Sequence, residues 1–415
     1  MKLLILTQYY PPEIGAPQNR LHELAVRLKK NEVEVTVLTA LPNYPKMEVM
    51  DEYKKGNNRL EMIDGIPVHR SWIFVSQSKG IFSRLLNYFS FVWSSYWKGR
   101  KLGKHDFLMV ESPPLFLGYS AMALSKKLKS KLIFNVSDLW PESAEKLGIV
   151  TNKQLLKLAY NLEAKCYLKS TLITGQTEGI VHDIQTRFPT KKATWLPNGV
   201  DIDFYNPQFI NSGDFRLKNG FQPTDILFFY GGILGHAQGL EVILNAAKFV
   251  QDDKRIHFII QGAGPEKQKL LVLNQTLELT NVHFLPPVSK TEMPSVVKSI
   301  DVALVPLKNL PLFQGAIPSK VFEALAMEKP LLLGVDGEAR KHFITNAKAG
   351  LFFEPENAED LAKQVRDFAQ NPEKIKEMGV NARNYVSTHF NRNLIAQTFY
   401  DQLNELLAKN EGKVH

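Results

Sequence analysis

The feature that most constrains this chain is an alternation. Short, wholly apolar runs recur along it, each followed by a Gly- or Pro-rich loop and then by residues with helical periodicity. In the first half, residues 2–7, 34–38, 107–111, 131–136 and 172–175 read as strands. In the second half, 225–230, 257–261, 282–285, 302–306 and 330–334 repeat the pattern. Runs with no polar alternation suit strands covered on both faces, and the helices between them act as crossovers that make such strands parallel. The fold class is therefore α/β, with doubly wound sheets. A chain of 415 residues exceeds one ordinary domain. The periodicity breaks at Pro197-Asn198-Gly199, which predicts domains over 1–198 and 199–391. A last helix follows from about residue 392, with a polar face and no preferred domain by pattern alone.

Several chemistries are excluded early. Hydrophobic content of 44% with 22% charged residues is that of a folded globular chain. A single cysteine, Cys166, excludes an intrachain disulfide framework. The ten histidines are scattered, so no metal site is expected. Neither a Walker A loop, a nucleophile-elbow serine nor a full G-x-G-x-x-G is present, which argues against dinucleotide redox chemistry.

The net charge of +9 is uneven. Residues 1–200 carry 28 Lys and Arg against 17 Asp and Glu, whereas the rest of the chain is close to neutral. One segment joins basic and aromatic residues. Phe82, Leu85, Leu86, Phe89, Trp93, Tyr96 and Trp97 recur at helical spacing, and Lys98, Arg100, Lys101 and Lys104 follow. The uncharged stretch 85–97 is too short for the roughly 20 residues of a membrane span. It suits either a helix lying on an anionic membrane surface or a helix buried in the first domain. No nucleic-acid motif accompanies it.

The segment that carries most chemistry is Gly315-Ala-Ile-Pro318-Ser319-Lys320-Val-Phe-Glu323. Ser319 is placed to cap a helix, and Lys320 falls in its first turn. A cation there opposes the helix dipole unless an anion sits at the same terminus. Free amides and Lys320 would converge on a phosphate, and Glu323, one turn on, could accept from sugar hydroxyls. The alternative is a capped surface helix with a Lys–Glu pair. Gly231-Gly-Ile-Leu-Gly235-His236-Ala-Gln238-Gly239 and Gln261-Gly-Ala-Gly264-Pro265 follow strands, where ligands of open α/β sheets bind. So do the loop over 9–17 and Asp138-Leu-Trp-Pro-Glu142.

These segments, in this order, resemble the retaining nucleotide-sugar glycosyltransferases of family 4. The resemblance rests on Tyr10-Pro-Pro-Glu13 with Gly15-Ala16, Ser112-Pro113-Pro114, Asp138-Leu-Trp-Pro-Glu142, Pro197-Asn-Gly-Val-Asp201, Gly262-x-Gly264-Pro265, Phe284-Leu285 and Pro318-Ser-Lys-Val-Phe-Glu323. The Asp138-Leu-Trp-Pro-Glu142 and Pro318-Ser-Lys320 pieces look most like those of transferases of N-acetylated 6-deoxyhexosamines, such as N-acetylfucosamine, in O-antigen or capsule assembly.

The resemblance implies the GT-B fold, two Rossmann-like domains facing a cleft, with the final helix returning to the first domain. It implies a UDP-sugar donor, no cofactor and no metal. Glu323 would hold the ribose, while Lys320, Pro318 and Ser319 would hold the diphosphate or sugar. The loop Gly264-Pro265 and Leu285 would frame the uracil, and Gly15-Ala16, Gly235 and Gln238 would approach the diphosphate. Lys320, then His236, would stabilise the leaving group. Asp138 and Glu13 would orient the acceptor hydroxyl. The acceptor would be a saccharide on an undecaprenyl-type lipid diphosphate, met at the inner face of the plasma membrane. Phe89, Trp93, Trp97, Lys98, Arg100 and Lys101 would face that surface. A cytoplasmic, peripheral enzyme follows. An epimerase on the same fold and a non-catalytic assembly factor are the alternatives. Two departures stand out: Gly315 replaces the first glutamate of the family's E-x7-E element, and His236 and Gln238 occupy a loop where the family often has a cation.

Overall fold

The computed structural model describes residues 1–13, 15–78 and 80–411. The chain divides into two compact units, Met1–Asn198 with the chain from Asn393 onward, and Gly199–Arg392.

The first unit is built on eight strands: β1 (Lys2–Leu6), β2 (Glu34–Ala40), β3 (Leu60–Ile63), β4 (Ile66–Ser71), β5 (Phe107–Ser112), β6 (Lys131–Val136), β7 (Leu172–Gly175) and β8 (Ala193–Trp195). Their order is β3-β4-β2-β1-β5-β6-β7-β8, and every pair is parallel except β3 with β4. Leu3 and Ile5 face one side of the sheet with α1 (Ala16–Lys30) and with Ala396, Phe399 and Leu403 of the terminal helix Arg392–Glu411. Leu4 and Leu6 face the other, with α2 (Ile81–Gly99), α3 (Leu117–Leu128) and α5 (Lys153–Lys169), the short α4 (Glu142–Lys146) lying between α3 and α5 in sequence. The alternation along β1 thus feeds two cores, which is why its sequence is apolar throughout.

The edge hairpin β3–β4 was not among the expected strands. Its signal is Asp64-Gly65, with φ of 49° and 72°, the pair of positive angles that a tight hairpin turn requires. Glu61, Pro67 and His69 interrupt its apolar pattern and hide it.

The second unit holds β9 (Ile226–Gly231), β10 (Ile256–Gln261), β11 (Val282–Leu285), β12 (Val302–Pro306), β13 (Leu331–Gly334) and β14 (Gly350–Phe352). The sheet runs β11-β10-β9-β12-β13-β14, all parallel. Parallel pairing gathers the carboxyl ends of each sheet's strands on one edge. The loops after β9, β10, β11 and β12 therefore come together, as do those after β1, β5 and β6.

Candidate active site

In the second unit the two glycine loops lie backbone on backbone. The amide of Gly232 donates to the Gln261 carbonyl and that of Leu234 to Ala263, both at 2.9 Å. A Cβ at Gly262 would stand 1.9 Å from the Gly232 oxygen, and one at Gly264 would stand 2.3 Å from the Leu234 oxygen. The G-x-G of residues 262–264 is thus a packing requirement, because only glycine lets the loops touch. Pro265 remains exposed beside it and Leu285 half-buried.

Lys320 lies over this floor. Its ammonium sits 3.6 Å from the Tyr230 ring centroid, and a Cβ added at Gly232 would meet it at 3.0 Å. Burial pushes its pKa from 10.5 down to about 7, and the charge of Glu323 opposes that fall only in part. The ring face of Tyr230 favours the charged form. Among the described residues no carboxylate comes within ion-pair distance of Lys320. Burial in turn raises the Glu323 pKa, against Arg392, Lys320, a hydrogen bond with Tyr205, and Lys290. The structure therefore places a half-buried lysine, glycine backbone and a half-buried, hydrogen-bonded glutamate along one edge of the sheet.

The expected cap does not form. Ser319 is itself helical, at φ −59° and ψ −30°, and makes no side-chain cap bond, so Pro318 and Ser319 offer backbone to the helix Lys320–Ala326. His236 is exposed at the end of the first glycine loop, while Gln238 folds back over Gly235. Lys308, just after β12, brings its Nζ to 2.9 Å from His236 Nε2. An ammonium has only protons to give, so the imidazole nitrogen accepts in this contact. The cation that loop 235–239 lacks in sequence is thus supplied from 72 residues away, a separation that no local pattern reveals. Gly315 closes the turn Pro311–Gly315, and a Cβ there would meet nothing within 4 Å.

In the first unit Gly15 caps α1 with extended backbone, and Ala16 is its first residue. Glu13 departs from the expected role. Its carboxylate accepts from the amides of Asn43 at 2.8 Å, Tyr44 at 2.9 Å and Tyr10 at 3.3 Å. It is almost wholly buried, and burial raises its pKa despite those three bonds. A carboxylate so committed braces two loops and has no free oxygen to orient an acceptor. Asp138 is half-buried and accepts from the Ser143 hydroxyl at 2.5 Å. Beneath it lies a buried network unseen in the sequence. Arg20 Nη2 donates to Glu111 at 2.6 Å and to Ser137 at 2.7 Å, and Thr174 donates to Asn135, which itself bonds Glu111.

Comparison with known proteins bears on both units. The profile "Glycosyl transferase 4-like domain" matches residues 15–199, and "Glycosyl transferases group 1" matches 212–385. Together they span most of the chain. The chain is built of these two glycosyltransferase domains. It is 24% identical over 377 residues to the putative colanic acid biosynthesis glycosyl transferase WcaI of Escherichia coli K12, covering 88% of this chain and 91% of that one. D-rhamnosyltransferase WbpZ of Pseudomonas aeruginosa is 25% identical over 198 residues, 46% of this chain and 48% of its own. Among solved structures, Anabaena Alr3699/HepE in complex with UDP aligns with a TM-score of 0.71 at 17% identity, covering 98% of this chain and 100% of the other. Sucrose-phosphate synthase from Thermosynechococcus elongatus aligns at 0.75 with 15% identity, over 99% and 100%. The fold is GT-B, as the sequence motifs imply.

In this glycosyltransferase α2 turns its aromatic side outward. Phe82, Leu86, Phe89, Trp93 and Trp97 are exposed, with Phe82 72% and Trp93 62% accessible. Its polar side faces in. Asn87 pairs with Gln8 at 2.9 Å, the Ser90 hydroxyl accepts from the Phe74 amide, the Ser94 hydroxyl donates to the Trp72 carbonyl, and Ser95 bonds Ser120. These bonds satisfy loop groups that would otherwise be buried without partners, and they fix the rotation of the helix. Leu85 and Tyr96 are half-buried and do not belong to the open face. Lys98 does not either. It donates to the carbonyls of Arg59 and Arg70 at 2.9 Å, and burial lowers its pKa. Arg100 stacks 3.8 Å over Trp97, and Lys101 is exposed. No described helix is long and apolar enough to cross a membrane.

Proposed function

We propose that the chain transfers an N-acetylated hexosamine or 6-deoxyhexosamine from a UDP-sugar to a saccharide on a lipid diphosphate, in the assembly of a bacterial surface polysaccharide. The observation that carries the donor half is Lys320, half-buried over Tyr230, beside the exposed backbone of Gly232 and, among the described residues, without a carboxylate partner. Such a lysine costs stability unless a multiply charged anion arrives. The complex of Alr3699/HepE with UDP supports a nucleotide diphosphate as that anion. WcaI, named for colanic acid, and the putative teichuronic acid glycosyltransferase TuaH of Bacillus subtilis support a surface polysaccharide.

In the reaction the anomeric carbon–oxygen bond to the diphosphate breaks and its electron pair stays on the phosphate. Lys320 and the amides near Gly232 and Ser319 meet that charge, with Lys308 and His236 at the loop's far end. The acceptor hydroxyl forms the new bond on the same face and loses its proton to the departing phosphate. Retention needs no enzyme nucleophile by this route, and with cations in place the leaving group requires no divalent ion. Glu323 holds the ribose. Asp138 and the α1 terminus at Gly15-Ala16 belong to the acceptor-binding unit. Phe89, Trp93, Trp97, Arg100 and Lys101 hold that unit at the cytoplasmic surface of an anionic membrane.

The test is a panel of UDP-sugars with a lipid-diphosphate-linked acceptor, following UDP release and product mass. One UDP-N-acetylhexosamine should turn over, and only with acceptor present. An epimerised UDP-sugar formed without acceptor would overturn the reading.

A further inference from the structure

The first unit contains a cavity of about 580 Å³ between α2, the segment 113–116 after β5, the Trp140-Pro141 turn and α5. That volume lies in the range, roughly 300–1,000 Å³, of pockets that bury a small-molecule ligand. Its walls are apolar: Leu85 and Phe89 from α2, Phe116 and Trp140 from the loops, Leu155 and Leu158 from α5. Among the described lining residues only Arg84 is charged.

The cavity is continuous with the open face of α2. Phe89 belongs to both, exposed on one side and 4.9 Å from the Phe116 ring on the other. Phe116 in turn packs edge-on at 5.4 Å against Trp140. On the far rim Ile149 and Leu158 are 56% and 64% exposed. Exposed apolar side chains thus run from helix to helix around a hollow, and contiguous apolar surface of this kind marks an interaction site. The pocket borders the open aromatic face of α2, and the exposed Arg84 lines it as a cation beside apolar walls. An occupant needs a long apolar chain at one end and an anion at the other.

We infer that this cavity holds the first isoprene units of the polyisoprenoid chain of the acceptor, with Arg84 facing its diphosphate. The walls also include Pro113, Pro114 and Pro141, so they are apolar and stiff along much of their length. The inference rests on the reading of a lipid-diphosphate acceptor. It adds where the lipid is gripped, and that the enzyme reads the chain as well as the sugar.

The full-length protein would be irradiated with a polyprenyl diphosphate bearing a diazirine on its second isoprene unit, and the labelled peptides mapped. Labelling of α2 or α5 residues that line the cavity supports the inference whether or not transfer is observed. Labelling elsewhere overturns it. In parallel, Leu158→Glu and Ile149→Glu place charge on exposed rim positions, where folding should be unaffected. Each should raise the KM of a long-chain acceptor tenfold or more while leaving that of a truncated-chain acceptor and the UDP-sugar KM unchanged. Equal KM values for long and short chains in the unaltered enzyme would sink the inference and leave the transferase reading intact. Absence of transfer to any lipid acceptor would sink that reading, and the label would still locate the chain. Competition of the label by phosphatidylglycerol vesicles as effective as by unlabelled polyprenyl diphosphate would assign the cavity to membrane acyl chains, against the inference.

Discussion

On the proposed reading, in which Lys320 meets the donor diphosphate, donor binding should depend on pH in a calculable way. Burial sets its pKa at about 7 in the free enzyme. A diphosphate beside it favours the charged form and raises that value, so binding takes up a proton whenever the lysine starts neutral. The sign follows: affinity is full below the free pKa and falls as pH rises through it. At pH 6.5 most molecules carry the charge, whereas at pH 8.5 only about 3% do. The Kd of a UDP-sugar should therefore rise roughly 25-fold between those values, about tenfold for each pH unit past the midpoint. A UDP-sugar is the right probe because its diphosphate has no proton that titrates near neutrality. Calorimetry in two buffers of different ionisation enthalpy should show close to one proton taken up per nucleotide at pH 8.5 and far less at pH 6.5. Lys320→Arg keeps its charge throughout and should abolish the slope. Lys320→Met should weaken binding about 10- to 100-fold at pH 6.5, the magnitude of one charge-assisted contact. A Kd that stays flat from pH 6.5 to 8.5, or a slope that survives in Lys320→Arg, would refute the argument.

Other expectations are more local. Gly315→Glu restores the family's first glutamate where an added Cβ meets no described atom within 4 Å, so the melting temperature should stay put while UDP release changes. Gly262→Ala forces a methyl into the Gly232 carbonyl and should cost about 1–3 kcal/mol of stability with loss of donor affinity, read by denaturant unfolding and UDP binding. Trp93→Ala with Trp97→Ala should reduce sedimentation with anionic vesicles while shifting stability little, because both rings are exposed. A collapse of the fold in that variant would favour a purely structural helix.

Much of this protein was legible without coordinates because its cues are local. Strands covered on both faces leave apolar runs, crossovers leave helical spacing, and loops after strands leave glycines. Ten strands could be read this way. The missed ones are the hairpin at Asp64-Gly65, whose strands carry polar residues, and the short edge strands Ala193–Trp195 and Gly350–Phe352. Motif order carried the family, and the profiles over 15–199 and 212–385 agree with it. Lys320 and Glu323 were visible as residue types beside a helix start, but the burial that shifts both pKa values was not.

What the sequence determined by itself is the architecture and the family, since both are written in periodicity and in short ordered motifs. Only the tertiary structure decided what individual groups do. Glu13 was spent on three amides because two loops meet there, and Lys308 joined His236 because β9 and β12 are neighbours in the sheet. The aromatic stripe of α2 faces out because its serines and Asn87 have loop partners within. Spacing fixes which residues share a helix face, but the rotation of that helix is set by hydrogen bonds to segments distant in the chain.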